Sequence, residues 1–157
     1  MKEIKIFHDS GAIDISLISS FENKMNCIFP GNYKKLLSEH NELYPDESNF
    51  KFVNAIDGEV DSRDVTFLGY GPGVTNASNI EWFQDHDVYG RVGVVVIGIA
   101  ANGDYICFDY RSAPKTDNPP VVVMLHDYYD DDGKMFICSV ADSFEEFMDS
   151  LYKPEDE

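Results

Sequence analysis

Asp109 and Arg111 are the residues of this chain whose types and spacing first suggest chemistry. In "ANGDYICFDYR", residues 101–111, the pattern predicts a strand from Asp104. Strand side chains alternate, so Tyr105, Cys107, Asp109 and Arg111 share one face while Ile106, Phe108 and Tyr110 share the other. An acid beside a cation is part of what a general acid–base site needs. No third catalytic group lies nearby in sequence, so the pair reads as an ion pair or loop anchor that fixes the proline-rich connection after it.

Other chemical motifs fail on inspection of their spacing. Gly69, Gly71 and Gly73 in "GYGPG" follow a predicted strand, as in a phosphate cradle. Val74 stands where the dinucleotide fingerprint needs its third glycine, and no Gly-Lys-Ser/Thr follows, so a turn is predicted. "DYYDDDG", residues 127–133, looks like a calcium loop. With Gly133 at the sharp-turn position, however, Tyr128 would be the first ligand and Ser139 the terminal carboxylate, and neither can serve. That stretch reads either as a solvated hairpin turn or as a contact surface. In the second reading Asp127, Asp130, Asp131 and Asp132 supply steering charge, and Tyr128 and Tyr129 supply anchor area for a basic protein. His126 beside Asp127 is a poor relay because adjacent strand residues point to opposite faces. His8, His40 and His86 have no cysteine or histidine at metal-ligand spacing. Cys107, in a strand of aromatic and aliphatic neighbours, is expected to keep a raised pKa and stay inert. No catalytic, cofactor-binding or metal-binding residue is predicted.

The elements that must position these groups follow from hydrophobic periodicity. From Asp14, residues Leu17, Ile18, Phe21 and Met25 fall at helical spacing; a second helix follows from Pro30, at a first helical position, with Tyr33, Leu36, Leu37 and His40 in step. "NFKFVNAI" and "DVTFLG" are predicted to form a hairpin across the polar turn "DGEVDSR". Ser78 and Glu81 suggest a capping box for a short helix. Strands at Val92–Ile99, Asp104–Tyr110, Pro120–His126 and Met135–Val140 then form an antiparallel meander. "VVVIG" and "VVVML" do not alternate, which marks strands covered on both faces. A closing helix begins at Ser143, with a second capping pair at Glu146 and an apolar stripe of Phe144, Phe147, Met148 and Leu151. The fold class expected is α+β: a mixed, largely antiparallel sheet flanked by helices in one domain.

Whole-chain properties narrow the function. The 157 residues include 29 acids and 12 bases, a formal charge of −17, yet 43 % are apolar and 13 % aromatic, so a packed core is expected. Residues 127–157 carry eleven acids against two bases, which concentrates negative potential there. Such a surface disfavours direct contact with a nucleic-acid backbone and attracts a basic partner. The three cysteines are odd in number and scattered in apolar surroundings, the pattern of thiols in a reducing compartment. The N-terminal stretch does not read as an export signal, and no apolar run approaches the length of a membrane span. A cytoplasmic location is expected.

Four stretches, in order, carry a resemblance: "CIFPGNYKKLLSEHNE", "ANGDYICFDYR", "PPVVVMLHD" and "VADSFEEFMDSLY". Over roughly residues 14–152 the chain resembles the SUKH superfamily of Smi/Knr-like proteins. The resemblance implies one SUKH-like domain spanning 1–157, with an acidic tail at 153–157, and no catalytic residues. For bacterial members it implies an immunity protein that binds and silences a toxin, often a nuclease; fungal relatives regulate cell-wall synthesis through protein contacts. Many members carry Asn-Gly-Gly after the second helix, where this chain has Asn41, Glu42 and Leu43. Without glycine's tolerance of positive φ, a different helix exit is expected.

Overall fold

The computed structural model describes residues 1–155. Its strands, in chain order, are β1 (Ile6–His8), β2 (Tyr44–Pro45), β3 (Asn49–Val53), β4 (Val60–Asp64), β5 (Thr66–Phe67), β6 (Val94–Ile99), β7 (Tyr105–Asp109), β8 (Val121–Tyr129) and β9 (Met135–Ala141). The helices are α1 (Ile15–Met25), α2 (Gly31–Glu39), α3 (His86–Tyr89) and α4 (Phe144–Ser150). Strands β5 to β9 form a five-stranded antiparallel meander in sequential order; β1–β2 and β3–β4 are separate antiparallel pairs. The α+β class and the meander expected from sequence are both present.

Local chemistry explains the helix boundaries. Asp14 caps α1 by accepting from the Ser16 amide at 2.9 Å, and Asn26 ends it in the left-handed conformation. Pro30 stands one place earlier than expected, at the N-cap of α2. Ser143 Oγ accepts from the Glu146 amide at 3.1 Å, so the predicted cap of α4 is made.

The core lies between the sheet and helices α1, α2 and α4. Tyr33 of α2, fully buried, meets Phe108 of β7 and Phe144 of α4 edge-on, with ring centroids 5.0 and 5.3 Å apart. Its hydroxyl, which could not be buried unpaired without cost, shares a hydrogen bond of 2.6 Å with the Tyr70 hydroxyl. Segment 79–91 wraps the edge of β6 onto the opposite face. Because β5 is only two residues long, part of the β6 edge lacks a strand partner; Gln84 supplies one, donating to the Val96 carbonyl at 2.8 Å and accepting from its amide at 3.1 Å. Beyond it, Phe83 and Tyr89 pack on Tyr105. This two-sided cover accounts for the unbroken aliphatic runs of β6 and β8.

Three sequence expectations need correction. The hairpin partner of β3 is "VDSRD", residues 60–64, of which all but Asp64 were assigned to the polar turn, in the register Asn49↔Asp64 to Val53↔Val60. The turn tightens to residues 54–59 through Asn54 and Gly58, the latter at φ 74°, while Thr66–Phe67 joins the large sheet. A polar, half-exposed strand on an edge does not advertise itself by hydrophobic alternation. Ser78 caps nothing: residues 76–83 form two short 3₁₀ turns, and Asn79 caps the second by accepting from Glu81 N at 3.1 Å. Finally, Glu42 adopts φ 55°, so the exit from α2 keeps the positive φ that glycine would have allowed. Ser10 Oγ donates to its carboxylate at 2.6 Å. The predicted acidic tail at 153–157 is described only as far as Glu155, and its last two residues lie outside the described residues.

Candidate partner-binding surface

Strand β8 does not stop at His126. Its ladder with β9 runs Leu125↔Phe136 and then Tyr129↔Met135, so His126, Asp127 and Tyr128 form a wide bulge. The bulge turns Asp127 outward with Tyr128 and Tyr129, which are 52 % and 50 % exposed. Asp131 and Asp132 are exposed in the turn beyond. Asp130 differs: it accepts from the amides of Asp132 at 3.0 Å and Lys134 at 2.9 Å, and from Arg91 at 3.3 Å. The Lys134 amide above all holds its carboxyl below the usual carboxylate range. Among the six residues, Asp130 therefore shapes the turn, and the other five face outward.

The bulge also brings together a cluster that alternation hid. His126 was expected to point away from Asp127, yet its Nε2 lies 3.1 Å from Asp127 Oδ2. Its Nδ1 lies 2.5 Å from Oδ1 of Asp104, which also accepts from the His126 amide. Arg63 Nε donates to the other oxygen of Asp104 at 2.8 Å, and Asn102 does so at 3.1 Å. Burial alone would raise the Asp104 pKa; hydrogen bonds from His126, Arg63 and Asn102 outweigh it and hold the carboxyl below its ordinary value. Carboxylate and imidazole in contact resemble a base with its orienting acid. Here a second carboxylate occupies the position where a nucleophile would stand, and a Cβ at Gly103 would sit 3.2 Å from Nε2. The cluster instead ties β4 and β8 to the turn that leads into β7. Its only sequence signal is a run of polar residues at strand ends.

The other candidates are structural as well. Arg111 grips Asp109 with two hydrogen bonds of 2.9 Å as an ion pair, and the Asp109 backbone amide separately donates to Pro120 O across the proline-rich loop. Burial pushes the Cys107 thiol well up and raises Cys27 to about 11, which keeps both protonated. In "GYGPG", Gly71 takes φ 91° and a Cβ at Gly69 would lie 2.9 Å from Val74; buried Asn41 clamps this turn through the Tyr70 amide and carbonyl. Among the described residues no group of three or more His, Cys, Asp or Glu is placed to hold a metal ion. No described helix is long and apolar enough to cross a membrane.

An antiparallel sheet packed against helices carries ion pairs at Asp104 and Asp109 and an acidic, aromatic bulge that faces outward. The model of the SMI1 / KNR4 family (SUKH-1) matches residues 12–150, and the chain belongs to that family. No curated protein matches it.

Proposed function

We propose that this protein is a non-enzymatic immunity protein, which binds a cognate basic toxin domain in the cytoplasm and silences it by occupying its working surface. Membership of the SMI1 / KNR4 family (SUKH-1) supports an interaction role. The observation that carries the reading is the bulge in β8, which presents Asp127, Tyr128 and Tyr129 beside Asp131 and Asp132. Carboxylates speed encounter with a cationic surface, and half-exposed tyrosines give the complex residence time. If the toxin is a nuclease, these acids compete for the basic cleft that would hold the phosphate backbone.

The test is binding and neutralisation of the toxin domain encoded beside the gene. A complex at low salt, weakened in high salt and by Tyr128→Ala with Tyr129→Ala, is expected. Absence of a complex at low salt would overturn the proposal.

A further inference from the structure

Resting on that reading, we infer that the cleft between Val92 and Pro114 is the anchor pocket of the partner surface, taking one apolar or aromatic side chain of a basic protein segment. The cleft has a volume of about 420 Å³ and is lined mainly by Met25, Cys27, Val92, Val94, Tyr110 and Pro114. That is within the range of ~300–1,000 Å³ common for ligand pockets. The side chain at its mouth is unusual: Val92 is 78 % exposed, and Val88, on the helix before it, is 50 % exposed. An apolar mouth on a chain of charge −17 is a place where water is readily displaced.

The identity of the occupant follows from what adjoins the cleft. Three consecutive residues join it to the acidic turn. Gly90, at φ 67°, packs so closely that a Cβ would lie 3.1 Å from the Lys134 backbone and 3.2 Å from the Gly133 carbonyl. Arg91 donates to the Met135 carbonyl at 3.0 Å and pairs with Asp130 at 3.3 Å. Val92 then opens into the cleft. At no more than ~3.6 Å of chain per residue, Val92 lies within ~7 Å of Gly90, which packs against Gly133 and Lys134 next to Asp131 and Asp132. Lysines or arginines flanking an inserted side chain would therefore meet those carboxylates. A second copy of this chain would bring a further charge of −17 to the same place, and repulsion argues against it. Among the described residues Arg111 is the one arginine or lysine lining the cleft, beside His86, and it is already paired with Asp109. A basic segment with a central hydrophobic anchor fits both halves of the surface.

The probe is the peptide Lys-Lys-Trp-Lys-Lys, titrated into the ¹⁵N-labelled protein. Amide shifts at Met25, Val92 and Val94 together with Asp131–Lys134 are expected. Exchanging the peptide's tryptophan for alanine should remove the first set and weaken binding about tenfold, as should Val92→Ser in the protein, whose exposed position leaves folding intact. Shifts confined to the acidic turn would overturn the inference. So would equal shifts with Glu-Glu-Trp-Glu-Glu, or sedimentation as a dimer that Val92→Ser dissolves. If the neighbouring toxin domain fails to bind while the peptide still seats in the cleft, the toxin reading falls and the cleft stands. If that domain binds Val92→Ser as tightly as the parent chain, the cleft falls and the toxin reading stands.

Discussion

Asp104 is the side chain on which the largest polar network converges, and its loss should be felt in stability. Replacing it with asparagine removes the buried counter-charge of Arg63 and the carboxylate partner of the His126 ring. We expect a cost of about 2 kcal/mol in chemical denaturation, less than for a fully enclosed pair because both partners reach solvent. The pH dependence has a definite sign. A carboxyl whose folded pKa is depressed contributes in full above the ordinary carboxylate range and loses its contribution as pH falls through the folded value. Asp104→Asn should therefore flatten the acid side of the stability profile, and an unchanged slope would count against this account. Glu42 offers the opposite case. A non-glycine residue at φ 55° carries backbone strain, so Glu42→Gly should stabilise the protein by about 0.5–1 kcal/mol, read as a raised denaturation midpoint. Asp109 and Arg111 were legible as a pair from their i, i+2 spacing, although β7 ends at Asp109 and it is a bend, with the Arg111 amide also donating to Asp109 at 3.0 Å, that brings them together. The Asp104 cluster was not, because its members come from β4, from the turn before β7 and from β8, where an irregularity re-aims His126.

At the scale of elements, local signals were readable wherever a side chain satisfied a backbone group next to it. The Ser143 cap and the apolar stripe of α4 are where the pattern placed them; Ser143→Ala should cost about 1 kcal/mol in thermal or chemical unfolding. Strand β4 and the bulge of β8 were not readable, for one shared reason. Both are held by ladder hydrogen bonds and polar partners, and neither carries the glycine, proline or alternation that marks an element in sequence. The stretch 127–129, read as part of a turn, is thus strand, with only residues 130–134 left to turn the chain. That difference changes the candidate surface from a loose charged loop into groups fixed on the sheet. Side chains fixed in this way lose less freedom on binding, which favours affinity.

The whole molecule is dominated by its charge of −17. Association with a basic partner should accelerate at low salt: raising ionic strength from ~0.05 M to ~0.5 M is expected to slow the on-rate at least ~tenfold and to change the off-rate far less, in a stopped-flow measurement. The same charge guards another feature. Strand β9 ends the large sheet, and β3 lies alongside it without forming a ladder, the Ala55 amide reaching only the Cys138 sulfur at 3.3 Å. Its outer backbone is left out of any ladder, so wherever β3 draws away it is a template on which further chains could polymerise into cross-β ribbons. Mutual repulsion keeps them apart at neutral pH. Near the isoelectric point, about 4.3, that barrier vanishes, and concentrated solutions should become turbid and take up an amyloid-selective dye. A proline placed in β9 at a residue whose amide faces outward should suppress the dye signal, and fibres that grow equally well with it would assign the nucleating segment to some other part of the chain.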